Sequence, residues 1–203
     1  MKITKEENQE RFMRRELQEY QRYGRNKATI VNHAYINSGE YHNKFDKISN
    51  DKELNRLVYQ VAKKMLKHRS GTLYEDMYWI DIDSLKVIAC ETEQKIESRI
   101  EYSRKTRKEI SKYENILALH THPNSMPPSI SDFNSSLKNK YQICLICCHN
   151  GKLFLYRANR HIIEFFYRNT IAKYKRMGYD EFEAQMLALS EYQKKGDIIF
   201  KEV

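Results

Sequence analysis

The longest regular pattern in the chain begins at Leu54. Leu54, Leu57, Val58, Val61, Ala62, Met65 and Leu66 recur at intervals of three and four. That spacing puts them on one face of a helix opened by Asn50 or Asp51 and stopped by His68-Arg69-Ser70-Gly71. Past Gly71 the period drops to two. Residues 73–82 and 85–90 read as two strands joined by a turn at Asp83-Ser84, which predicts a hairpin. Residues 91–113 are heavily charged, with a strand expected near residues 100–102 and a short helix after it. Residues 115–119 form a short apolar strand that runs into His120-Thr121-His122-Pro123. Beyond the prolines, Ser131 or Asp132 can cap a helix to about residue 140. A buried strand is expected over 143–148, a turn at His149-Asn150-Gly151 and a return strand over 153–157. Two helices follow, over 161–177 and 180–194, with Asp180 and Glu183 as the N-terminal box of the second. Residues 197–203 add an edge strand.

The N-terminal part is less regular. Thr4 and Glu7 are placed as a capping box, and Phe12, Met13, Leu17 and Tyr20 make a thin stripe on a helix ending near Gly24. Residues 25–50 read as loop with a short helix, anchored by Ile30, Tyr35, Ile36 and Phe45. The picture is of a basic helical extension over 1–70 and a domain over 71–203. Its fold class is α/β in the mixed α+β sense, a mixed sheet flanked by helices.

Composition narrows the classes. A chain of 203 residues with 40% apolar content can bury a core and is too apolar to be disordered. No run approaches the ~20 apolar residues of a membrane span, and the first residues lack the apolar core of a secretory signal. Four cysteines in such a chain read as reduced thiols, so the expected location is cytoplasmic and no membrane partner is expected. Cys144-Leu145-Ile146-Cys147-Cys148-His149 can be read as half of a zinc knuckle. No second ligand pair matches it, and the alternation is that of a buried strand.

The net charge is +9, and residues 1–70 hold 16 Lys and Arg against 9 Asp and Glu. Such a segment can attract nucleic acid or an acidic partner, but no nucleic-acid motif accompanies it and a solvated helix face explains it as well.

The prolines are the sharpest compositional signal. There are three, and Pro123, Pro127 and Pro128 all lie in one loop. That loop is stiff by composition. It separates His120 and His122 from Ser129 and Asp132. Two His at i and i+2 on a strand point to the same side. An Asp ten residues later, past a turn and near a helix start, can return to the same point. Two imidazoles and a carboxylate make a sound ligand set for Zn²⁺ with one position left open for water. Such a site needs a general base that is not a ligand. Glu75, at the start of the first strand, is preferred, and Glu91 and Glu93 at the end of the second are its rivals. Ser129 fits a turn residue before a helix as well as a functional one.

His120-x-His122-Pro123, then Ser129-x-x-Asp132, with a glutamate upstream, resembles the JAMM motif of the JAB/MPN metallopeptidases, in the prokaryotic or phage-type branch. The family's usual spacing has seven residues between the second His and the Ser, and here there are six. The resemblance covers about residues 71–157. It implies a JAB/MPN-like (cytidine-deaminase-like) sheet. It implies His120, His122 and Asp132 as zinc ligands and Glu75 as the base that takes and later delivers a proton. Ser129 would orient or stabilise an oxyanion. The activity implied is a hydrolase cutting a peptide or isopeptide bond, with a protein or peptide substrate, including the ubiquitin-like class. Two other readings stay open: a catalytically silent MPN-type scaffold, and nucleic-acid association through the basic segment.

Overall fold

A computed structural model describes residues 26–203. The helix expected before Gly24 lies outside the described residues. Among the described residues the expected long helix is present as α3 (Lys52–Arg69), with Asp51 as its N-cap. The Asp51 side chain accepts from the backbone N–H groups of Glu53 and Leu54, two donors that a helix start leaves unpaired. Ahead of it lie a 3₁₀ turn (Lys27–Thr29), α1 (His33–Ile36) and α2 (Gly39–Phe45), more order than the loop reading gave. Asn32 and Ser38 cap the two helices, and such single polar caps carry little periodic signal. Of the four anchors, Ile36 and Phe45 are buried, whereas Ile30 is exposed.

The strands are β1 (Met77–Asp81), β2 (Lys86–Glu91), β3 (Ile116–His122), β4 (Ile143–Cys148), β5 (Leu153–Ala158) and β6 (Ile198–Glu202). Helix α4 (Arg104–Ile110) follows β2, α5 (Ile130–Lys138) follows β3, and α6 (Glu164–Arg176) and α7 (Glu181–Lys194) follow β5. No strand forms near residues 100–102; that stretch is loop. The cap of α5 is Ser129, two to three residues before the expected position. This fold is mixed α+β.

The six strands form one sheet in the order β2-β1-β3-β4-β5-β6. β3 and β4 run parallel, joined through the proline loop and α5, and the other neighbours are antiparallel. Alternation sends successive side chains to opposite faces. Tyr78, Ile80, Leu117, Leu119, Leu145, Cys147 and Leu153 form one core with Val58, Met65 and Leu66 of α3. Met77, Trp79, Ala118, Cys144, Ile146, Cys148, Phe154 and Tyr156 face the other way, toward Phe133 of α5 and Ala188 and Leu189 of α7. His120 and His122 share the parity of Ala118 and so belong to this second face.

Candidate metal centre

β3 is buried along its whole length, and its last residues are the polar ones. His120 pairs across with Met77 of β1 and with Ile146 of β4, and His122 sits beside Cys148. The antiparallel pairing continues past the end of β1. The Thr121 N–H donates to the Asp76 carbonyl at 3.0 Å, and the Asp76 N–H donates to the Thr121 hydroxyl at 3.0 Å. Carried one residue further, this register puts Glu75 opposite His122, on the same face. Directly opposed residues have Cβ atoms about 5 Å apart. Period two therefore delivers Glu75, His120 and His122 to one place.

Asp132 arrives from the other side of the loop. Ser129 caps α5 and makes a reciprocal box with it. The Ser129 backbone N–H and its hydroxyl both donate to Asp132 Oδ2 at 2.7 Å, and the Asp132 N–H donates to the Ser129 hydroxyl at 3.2 Å. This fixes the carboxylate before anything binds to it. The other oxygen, Oδ1, lies 3.4 Å from His120 Nε2, while Oδ2 lies 3.7 Å from His122 Nε2. The two Nε2 atoms are 3.0 Å apart.

These three residues are a group that could hold a metal ion. Their chemistry fits one. Donor atoms about 2.0–2.1 Å from a shared tetrahedral ion stand about 3.3–3.4 Å from each other; the two Nε2 atoms are 3.0 Å apart and each has one or the other Asp132 oxygen at 3.4 or 3.7 Å, a set of about that size. Two imidazole Nε2 atoms facing each other at 3.0 Å can share at most one proton. His122 Nδ1 lies 2.8 Å from the Met126 carbonyl, an acceptor only, so Nδ1 carries a hydrogen, and in the neutral ring the lone pair is then on Nε2. His120 is held differently. Its Nδ1 is buried with no hydrogen-bond partner among the described residues, and its ring meets the Tyr156 ring edge-on at 6.3 Å between centroids.

The proline loop supplies the outer support. Pro123, Pro127 and Pro128 are all buried. Pro127 restricts the residue before it, and that residue is Met126, whose carbonyl orients His122. Ser125 adopts a positive φ of 58°, its N–H donates to the His122 carbonyl, and its hydroxyl accepts from the Asn150 N–H. The loop is thereby tied to the β4–β5 turn.

Glu75, His120, His122, Ser129 and Asp132 line one cavity of about 600 Å³. Burial raises the Glu75 carboxyl from 4.5 to about 7; His122 pulls it down and the Asp132 charge pushes it up. Burial would also raise Asp132. There the charges of His120 and His122, with hydrogen bonds from His120 and Ser129, overcome it and hold the carboxyl well below the usual carboxylate range. Two carboxyls in one cavity are thus driven apart, one kept ionised and one set to titrate near neutrality. Neither Glu91 nor Glu93 lines this cavity. Glu91 instead accepts from the Ser103 N–H at 2.8 Å.

Some supporting groups were not singled out from sequence. Asp76, beside Glu75, is buried and takes Arg69 Nε at 2.6 Å and His68 Nδ1 at 2.7 Å. Arg69 also donates to the Thr92 carbonyl. Its signal was available: it continues the buried stripe of α3 one turn past Met65 and Leu66, an odd place for an arginine. His149 is buried with Nδ1 on the Thr29 carbonyl at 2.7 Å, and burial pushes it down to about 4. The cysteines of β4 are buried and free, as the strand alternation implied. Burial pushes the Cys147 thiol up to about 12, so it is protonated at neutral pH.

Comparison with family models, with curated proteins and with solved structures gives no match for this chain. No helix among the described residues is long and apolar enough to cross a membrane.

Proposed function

We propose that the chain is a zinc-dependent metallopeptidase of the JAB/MPN kind, a hydrolase of peptide or isopeptide bonds. One observation carries this reading. A His/His/Asp group able to hold a metal and a separate buried glutamate meet in a single cavity. His120, His122 and Asp132 would hold the ion. Zinc bound there supplies a Lewis acid that makes water available as a nucleophile near neutral pH.

The chain's own residues do the rest. Glu75 takes a proton from the attacking water and returns it to the departing amine. A carboxylate on the cavity wall beside the ligand set is placed to do both. Its buried position excludes bulk water that would otherwise hold it ionised. Ser129 positions Asp132 through two hydrogen bonds to Oδ2. To stabilise an oxyanion, its hydroxyl would have to turn away from Asp132. The Met126 carbonyl keeps His122 in the tautomer that leaves Nε2 free.

The substrate class in this proposal is a protein or peptide, including conjugates of the ubiquitin-like type, in a reducing, cytoplasmic setting. A silent scaffold of the same fold has no need of this ligand set or of a base beside it. The test is cleavage of a panel of peptides and isopeptide conjugates by the zinc-loaded chain and by Glu75→Gln. Removal of a general base lowers the rate by about 10²–10⁴-fold. Because Glu91 and Glu93 lie off the cavity, cleavage by Glu75→Gln at the wild-type rate refutes the mechanism.

A further inference from the structure

The metal cavity is continuous with a larger cleft of about 2010 Å³. The two share nine lining residues, among them Tyr102, Ser129, Ser131, Ser135 and Gln185. The cleft runs between the loop and helix α4 on one side and α6 and α7 on the other, with α5 along its floor. Ser131, Ser135 and Lys138 of α5 stand at i, i+4 and i+7, so one face of that helix forms a polar track leading away from Asp132.

Charge along the cleft is not balanced. Three of its carboxylates are matched: Glu101 by Arg99, Glu164 by Arg168 and Glu181 by Lys175. Arg107, Lys138 and Lys140 carry no ion pair among the described residues, against a single remaining carboxylate, Glu114. Arg107 donates Nε to the Tyr102 carbonyl and sits over the Tyr102 ring, which holds its charge in the cleft without neutralising it. Lys138 and Lys140 are exposed.

We infer that this cleft binds an extended polypeptide segment carrying acidic side chains, which it leads to the metal cavity. The inference rests on the peptidase reading for what happens at the end of the track, but not for binding along it. Spacing sets where the acidic residues fall. Lys138 lies six residues beyond Asp132, about 9 Å along the helix axis at 1.5 Å per residue. An extended chain advances about 3.3 Å per residue. The acidic side chain that meets Lys138 is therefore about three residues from the bond presented to the metal site. A nucleic-acid strand fits less well: a phosphate at every nucleotide calls for a continuous run of cations, and of the described residues lining the cleft only Arg107, Lys138 and Lys140 are cations without an ion pair.

The experiment uses the full chain as Glu75→Gln, zinc-loaded, so that nothing is cut. Fluorescein-labelled Gly/Ala peptides carrying two Glu, two Gln or two Lys at a three-residue offset are titrated by anisotropy. Two exposed ion pairs predict about three- to tenfold tighter binding of the Glu peptide than of the Gln peptide at low salt. That preference is expected to vanish in Lys138→Gln/Lys140→Gln and to invert in Lys138→Glu/Lys140→Glu, with circular dichroism confirming that both variants fold. Equal binding of the Glu and Gln peptides, or a preference that survives both double variants, overturns the inference. So does displacement of the Glu peptide by single-stranded dT12 at lower charge concentration than by unlabelled peptide. Failure of the wild-type chain to cut any substrate would sink the peptidase reading and leave this binding preference standing. Cleavage with no acidic preference would do the reverse.

Discussion

The two faces of the sheet are made from the same strands, and in β3 they alternate residue by residue. Leu117 and Leu119 go to the face covered by α3, where they join an apolar core with Tyr78, Ile80 and Leu145. Ala118, His120 and His122 go to the other face, where the apolar surface of Trp79, Ile146 and Phe154 gives way at one end to Glu75 and Asp132. One face holds the fold together. The other is partly made of groups that folding would be easier without. The difference teaches that the candidate site is a local departure from a consistent pattern, at the strand ends, where the sheet can tolerate it.

The strongest way to break this contrast is to remove its most costly group. Glu75→Gln is expected to lower cleavage by about 10²–10⁴-fold while keeping zinc. The same change should stabilise the metal-free chain in alkali. The folded-state value of about 7 lies above the ordinary 4.5, so the folded chain binds more protons between those values and loses stability as pH rises through them. Above pH 7 the cost reaches about 3 kcal/mol, at 1.36 kcal/mol per pKa unit. Thermal denaturation at pH 8 should therefore show the variant melting higher than wild type; a lower melting temperature would contradict the assigned cost.

The opposite face should respond in the opposite way. Leu66→Ala, at a fully buried position of α3, is expected to lose about 2–5 kcal/mol. Urea denaturation measures it, and zinc bound per folded chain should stay near one. A metal loss matching the stability loss would mean that the faces are not separable.

His149 sharpens the boundary between them. It joins the β4–β5 turn to Thr29, and its folded value of about 4 lies below the ordinary 6.5. The folded chain binds fewer protons between those values, so this stability is complete above pH 6.5 and is lost as pH falls toward 4. The span is worth about 3 kcal/mol. Comparing metal-free wild type with His149→Gln between pH 4 and 7 should show a flatter profile for the variant.

The smallest effect concerns the prolines. Pro127→Ala with Pro128→Ala should cost folding about 0.5–1 kcal/mol per site. The larger consequence is for the metal, since the loop carries the Met126 carbonyl that orients His122. Zinc affinity measured by competition with a chelator should fall more than stability does. Unchanged affinity would make the stiffness incidental.

What the sequence made legible divides along the same line. The face under α3 was readable because every turn of that helix repeats the same choice, from Leu54 to Leu66. β4 and the capping box of α7 were readable for the same reason, local signals that agree. The site was legible as His120, His122 and Asp132 because their spacing is short and the prolines mark the turn. Glu75 could be ranked above Glu91 and Glu93 only by its neighbouring apolar strand; what separates them in space is the register of β1 on β3. Tertiary partners were out of reach. Nothing local announces that Asp76 collects Arg69 and His68, that His149 meets a carbonyl 120 residues away, or that α5 floors a charged cleft.

The central claim is that His120, His122 and Asp132 hold one ion. Elemental analysis of the full chain, purified with zinc and then exhaustively dialysed, tests it most directly when set beside Glu75→Gln and His122→Ala. The account predicts about one zinc per chain in wild type and in Glu75→Gln, and close to none in His122→Ala. A wild-type chain that retains no zinc, or a His122→Ala chain that retains as much as wild type, would contradict it.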